Sequence, residues 1–240
     1  MKIYFFDTET TGNTPTDRLV QLAIKERGVA TPVLNELFKP PFPIPLAASA
    51  VHHISNKMVA HKPLFQESTH YEPVKTLFEH EQTIAVAHNA PFDVSMLLAE
   101  GIAPKHTICT FRVAHRLDTN GTFSNYKLQY LRYALDMELD VPAHDALADV
   151  LVLEQLFEYL LKKVMEDKGL DEAGALALME EITKEPMLMK KFTFGKHNGK
   201  FVEEVAITDP WYISWLLEQK KQNPDAEADW IFTLETYLKK

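Results

Sequence analysis

The sequence predicts an α/β fold, a mixed five-stranded sheet flanked by helices, with a small α+β module at its C-terminal end. Three observations lead there. Extended segments with short links open the chain and suggest an antiparallel meander. Apolar, strand-like runs then alternate with helical patterns, as they do where helices pack on a sheet. Finally, residues 166–186 are acidic and helix-prone and end in Lys184-Glu185-Pro186, a natural linker, beyond which the composition changes.

Taken in order, residues 2–7 (KIYFFD) read as a short buried strand, and 20–27 and 31–40 as two more with partial alternation. Prolines at 40, 41, 43 and 45 require an extended loop. Residues 64–80 are helical by pattern, and TIAVAH (83–88) is an apolar run suited to a central strand. A helix begins near Ala90, with Asn89 as its cap and Pro91 in its first turn. HTICT (106–110) is a further strand, followed by helices near 111–117 and 125–135. From Asp145 to about Met165, Leu147, Val150, Leu153, Phe157, Leu160 and Val164 recur at steps of three and four, one face of a long helix. In the tail, KFTFGKHNGK places aromatics around glycines like a small hairpin. Residues 202–239 read as two or three helices, with Trp211, Trp215 and Trp230 at core positions.

Composition narrows the function classes. No apolar stretch approaches the ~20 residues that cross a bilayer, and the N-terminus turns acidic too early for a signal peptide. A cytoplasmic protein without membrane contact is expected. The single cysteine, Cys109, excludes an intramolecular disulfide and a cysteine-based zinc site. The net charge of −9 argues against phosphate binding at first sight. However, residues 187–240 carry eight lysines and eight acids, so the whole excess lies before them. Acids that hold divalent cations invert the local charge, which reconciles such a region with a nucleic acid.

Three acidic clusters carry the chemistry. Asp7 and Glu9 lie two apart on a strand, so they project to one side, where mutual repulsion is relieved by a cation. Hard ions such as Mg²⁺ or Mn²⁺ suit carboxylate oxygens. Asp93 falls in a first helical turn, where the helix dipole by itself accounts for an anion. Asp149 sits near the apolar face of the long helix, an expensive place for an unpaired carboxylate. His144 precedes that helix and has the ring chemistry to accept a proton from water near neutral pH.

In order and spacing, Asp7 with Glu9, Asp93 within HNAPFD, and His144 five residues before Asp149 resemble the three motifs of the DEDDh 3′→5′ exonucleases. The resemblance covers residues 1–165 and implies a ribonuclease-H-like sheet. It implies that Asp7, Glu9, Asp93 and Asp149 hold two Mg²⁺ or Mn²⁺ ions and that His144 is the general base, the five forming the catalytic set. Thr10, Val51, His52, Asn89 and Phe92 are its candidate substrate contacts, AVHHIS (50–55) being similar to the family's loop beneath the terminal nucleotide.

Residues 187–240, with Phe194-Gly195-Lys196 and Asp209-Pro210-Trp211-Tyr212, resemble the C-terminal module of the exodeoxyribonuclease X type. Its lysines and phenylalanines read either as phosphate contacts beside aromatic platforms or as the surface and core of a small domain. The resemblance implies trimming of DNA 3′ ends, single-stranded or frayed, with release of 5′-nucleoside monophosphates. It also implies a role in DNA repair and requires no obligate protein partner. An exoribonuclease would use the same five residues. A non-catalytic adaptor is disfavoured because none of the five is missing.

Overall fold

The expected meander opens the structure. In the computed structural model, which describes residues 1–14, 16–139, 146–224 and 227–239, β1 (Lys2–Thr10), β2 (Leu19–Glu26) and β3 (Leu34–Leu37) pair antiparallel. Only four residues of the third expected strand form β3. Pro32 precedes them and Pro40 and Pro41 follow, and a proline has no N–H to give to a ladder. The short helices α1 (Leu46–His52) and α2 (Asn56–Val59) come next. They bury Ile54 and Val59 with Val20 of β2 in a satellite core.

The helix expected over 64–80 is divided into a 3₁₀ turn (Phe65–Glu67) and α3 (Tyr71–Phe78). Pro73 explains the division: it is tolerated in a first turn, whereas further inside it would clash with the carbonyl four residues earlier. The alternating half then runs β4 (Thr83–Ala87), α4 (Ala90–Ala99), β5 (His106–Cys109), α5 (Thr110–Leu117), α6 (Leu128–Ala134), α7 (Ala146–Lys168) and α8 (Glu172–Lys184). β4 and β5 join parallel, giving the mixed order β3-β2-β1-β4-β5. Asn89 takes the cap position of α4 at φ 65°, but its side chain makes no capping bond. Pro91 lies in the first turn as expected.

Two cores sandwich the sheet. Ile3 and Phe5 of β1, with Ile84, Val86 and Ile108, pack against Val150, Leu153, Phe157 and Leu160 of α7. Tyr4 and Phe6, with Leu22, Ala85 and Cys109, pack on the other face against Phe78 of α3 and Met96 and Leu97 of α4. Phe5 meets Phe157 edge-on, ring centroids 5.3 Å apart. The expected linker at 166–186 is corrected here. α7 runs on to Lys168, and α8 buries Ala175, Met179 and Ile182 in the first core. The compact units divide instead at Thr183/Lys184, with Asp118–Thr122 belonging to the second. Acidic helix-prone sequence reads as solvated linker, but every third or fourth residue of α8 is apolar and finds a core to enter.

The second unit contains a 3₁₀ turn (Gly195–His197), α9 (Val202–Thr208), α10 (Pro210–Lys220) and α11 (Ala228–Leu238). The expected hairpin shrinks to one antiparallel bridge between Lys191 and Phe201, so among the described residues this unit is essentially helical rather than α+β. Gly195 has φ +66°, and a side chain there would meet the Tyr212 hydroxyl at 2.7 Å. Asp209 caps α10, accepts from the Tyr212 N–H, and pairs with Lys196 at 2.7 Å and His197 at 3.0 Å. The bonds from Lys196 and His197 hold its carboxyl down at about 2. Phe192 and Trp230 stack in the core. Trp211 and Trp215, by contrast, are 71% and 44% exposed and are not the core residues their helical spacing suggested.

Candidate active site

The alternation of β1 sorts the functional side chains. Ile3 and Phe5 face α7, whereas Tyr4 and Phe6 face α4. Carrying the two-residue period forward puts Asp7 and Glu9 on the α7 side and Thr8 on the α4 side. Each carboxylate-bearing helix therefore meets a different residue of the same strand end. A register shift between Glu9 and Thr10 marks a bulge at this point, a device that re-aims side chains beside active sites.

Asp149, in the first turn of α7, closes on the acidic pair. One oxygen each of Asp7, Glu9 and Asp149 lie within 4.8 Å of one another, and all three residues are partly exposed. Three anions this close repel strongly and are relieved by a cation or a proton. Their hard oxygens suit Mg²⁺ or Mn²⁺, so the donor set fits a divalent ion. Gln129 of α6 donates from Nε2 to Asp149 Oδ1 at 2.5 Å.

Asp93 is placed differently. It is buried in the first turn of α4, and its Oδ1 accepts from both the N–H and the hydroxyl of Thr8, at 3.1 and 2.7 Å. Burial pushes its carboxyl up to about 7, against the opposing effect of the two Thr8 bonds. Asp93 is not in the 4.8 Å group. Three of the four carboxylates named from the sequence thus lie in one group. The fourth is held through Thr8, which stands between Asp7 and Glu9 in the chain but faces the other side of the strand. His144, the expected base, lies outside the described residues.

Among the expected substrate contacts, Thr10 and His52 are brought together. The Thr10 backbone acts on the buried His52 ring to favour its charged form, but burial outweighs it and lowers the His52 pKa. His52 Nδ1 accepts the Ile54 N–H at 3.0 Å, and the Thr10 hydroxyl donates to the Gly12 carbonyl at 2.6 Å. Val51 and Asn89 are exposed, and Phe92 packs at the edge of the second core. His88 is no alternative base. Its nitrogens engage Thr110 Oγ1 at 2.9 Å and the Tyr126 carbonyl at 2.8 Å, and burial pushes it down to about 4. The carbonyl can only accept, so Nε2 carries the proton and Nδ1 accepts from the threonine.

Sequence reasoning missed Thr8 and Gln129. Thr8 was in plain view within Asp7-Thr8-Glu9, and the strand period would have turned it toward the helix that carries Asp93. Gln129 left no signal, since it reaches Asp149 from a separate helix.

Strand-borne acids on a mixed sheet, joined by an acid from the helix packed across it, fit a divalent-ion site, and the chain belongs to the exonuclease family, whose description "Exonuclease" matches residues 4–157. It is a hydrolase of that family. Residues 192–221 match a second family, "Exodeoxyribonuclease X-like C-terminal". The chain is 33% identical over 211 residues to Exodeoxyribonuclease 10 of Escherichia coli K12, covering 85% of this chain and 84% of that one. It is 34% identical over 202 residues to a DNA polymerase III subunit epsilon-like protein of Rhodobacter capsulatus, covering 77% of this chain and 27% of the other. The fold superposes on Exonuclease X in complex with 5′ overhanging duplex DNA at TM-score 0.58 and 27% identity, over 75% of this chain and 99% of that chain. Escherichia coli Exonuclease I with a dT13 oligonucleotide shares the fold at TM-score 0.58 and 18% identity, over 69% of this chain and 42% of the other. Among the described residues, no helix is long and apolar enough to cross a membrane.

Proposed function

We propose that this chain is a 3′→5′ exodeoxyribonuclease that hydrolyses the terminal phosphodiester of DNA and releases 5′-nucleoside monophosphates. The observation that carries the reading is the convergence of Asp7, Glu9 and Asp149 within 4.8 Å at the end of β1. These three, with Asp93 anchored by Thr8, would hold two Mg²⁺ or Mn²⁺ ions. Such ions, when bound, supply an activated water and a counter-charge for the phosphate. The chain's own residues do the rest. His144 takes the proton of the attacking water. The Thr10 backbone with His52 forms a preorganised floor for the terminal nucleotide, and Val51, Asn89 and Phe92 border it. Neutral His52 suits contact with a base or sugar better than with a phosphate.

DNA is favoured over RNA because a 33% identical relative is named Exodeoxyribonuclease 10, residues 192–221 match the Exodeoxyribonuclease X-like C-terminal family, and Exonuclease X was solved with 5′ overhanging duplex DNA. A strand end that is single-stranded or frayed would be the substrate, and trimming of such ends in the cytoplasm fits DNA repair. The test uses purified protein with 5′-labelled single-stranded DNA and matched RNA, in Mg²⁺, Mn²⁺ or EDTA, beside Asp7→Ala. A metal-dependent ladder shortening from the 3′ end of DNA, slower on RNA and absent in Asp7→Ala, is the expected outcome. Faster trimming of RNA would overturn the substrate, and no cleavage with either metal would overturn catalysis.

A further inference from the structure

Trp211 and Trp215 stand one turn apart on α10, on the face turned away from the second unit's core. Their ring planes are within 11° of parallel, with centroids 6.5 Å apart, and Trp211 has only 29% of its surface covered. Trp215 leans on Tyr212, centroids 5.6 Å apart, and the Lys196 ammonium lies 4.9 Å from the centre of that same Tyr212 ring. Ser214, Glu218 and Gln219 are further exposed positions of this helix, and all three are polar. Flat, parallel, exposed rings with polar neighbours suit stacking by nucleobases.

The charge pattern agrees. Residues 187–202 contain Lys190, Lys191, Lys196 and Lys200 and no acid, although the unit as a whole is neutral. Lys191 lies over the ring of half-exposed Phe201, 4.6 Å from its centre, a second pairing of cation and aromatic. Phe192 and Phe194, the other aromatics of this stretch, are committed to the core. We infer that α10 presents Trp211 and Trp215 as a stacking platform for unpaired nucleotides of a DNA strand, with Lys191 and Lys200 meeting its phosphates, since Lys196 is paired with Asp209 and Lys190 donates to the Asp118 carbonyl. This rests on the DNA reading above. Covalent attachment to the nuclease unit would raise the local concentration of the strand around the catalytic acids.

The chain has three tryptophans, Trp211, Trp215 and Trp230, all in this unit, so selectively excited tryptophan fluorescence reports on it alone. Full-length protein in EDTA, which prevents cleavage, is titrated with oligothymidylate. Quenching is expected for the native chain and not for Trp211→Ala/Trp215→Ala. By anisotropy of a labelled oligothymidylate, Trp211→Ala should bind on the order of tenfold more weakly. Because Trp215 packs on Tyr212, Trp215→Phe is the milder companion, retaining most of the affinity. Absent quenching, alanine variants that bind like the native chain, or equal quenching by a blunt duplex would each overturn the platform. Trimming without quenching would sink the platform and spare the nuclease; quenching without trimming would do the reverse.

Discussion

Gln129 Nε2 lies 2.5 Å from Asp149 Oδ1, a direct bond between α6 and the first-turn acid of α7. The orientation of the amide is itself constrained, because Arg132 Nη1 donates to Gln129 Oε1 at 3.3 Å. Arg132 also donates from Nη2 to the Leu139 carbonyl. One oxygen of Asp149 is thus held by a neutral donor that orients the carboxylate without cancelling its charge. Partners of this kind around metal ligands are worth roughly 10–100-fold in metal affinity or activity. Gln129→Ala should raise the Mn²⁺ concentration needed for half-maximal activity by about tenfold. Gln129→Glu should do worse, since it replaces a donor with a second anion. Calorimetric titration of Mn²⁺ without DNA provides the independent readout, and unchanged affinity in both variants would remove Gln129 from the site.

Asp93 makes stability depend on pH in an unusual direction. Its folded pKa of about 7 lies above the ordinary 3.8. Between those values the folded, metal-free chain keeps a proton that the unfolded chain gives up. Stability from this group is therefore full at pH below the unfolded pKa and is lost as pH rises through 7. At ~1.4 kcal/mol per unit of pKa difference, the effect is at most about 4 kcal/mol. In EDTA, melting temperature should fall more steeply between pH 4 and about 7 for the native chain than for Asp93→Asn. Parallel profiles would mean that Asp93 is already ionised.

Lys25 is buried on the α7 side of β2, and its ammonium meets Glu154 Oε2 at 2.6 Å. The other oxygen of Glu154 accepts the Gly28 N–H at 3.0 Å. Glu154→Ala strands a buried cation and should cost ~3–5 kcal/mol in urea unfolding. Replacing both partners, as Lys25→Met with Glu154→Leu, should recover most of that loss. A double variant as unstable as the single one would show that the pair contributes through something other than its charges.

α8 offers a test of where the nuclease unit ends. Thr183 Oγ1 accepts the Cys109 N–H at 2.8 Å, Glu180 meets His106 at 3.0 Å, and Met179 is fully buried. Met179→Ala should destabilise the first unit by ~2–5 kcal/mol. Limited proteolysis should spare residues 172–183. Cleavage there in the native state, or an Ala variant of native stability, would restore the reading of this segment as a linker.

The candidate site was legible because it is written in short local patterns. Asp7 and Glu9 obey the strand period, Asp93 opens a helix behind a strand, and Asp149 repeats on the same helical turn pattern as Leu153. The errors came where burial, a non-local quantity, decides. α8 looked like solvent-facing linker because its acids were visible and its core was not. Trp211 and Trp215 looked like core because tryptophan usually is, and only the packing of α10 on α9 and α11 turned them outward.

By itself, then, the sequence determined the order and type of the main elements, the residues that can hold a divalent ion, and the family those residues belong to. Periodicity and chain order are local properties, and they survive without knowledge of neighbours. Tertiary structure alone decided that Asp149 joins Asp7 and Glu9, that Thr8 bonds Asp93, and that Gln129 orients Asp149. Those outcomes depend on which helix covers which side of β1, and a strand's alternation specifies two faces without saying what will pack on either.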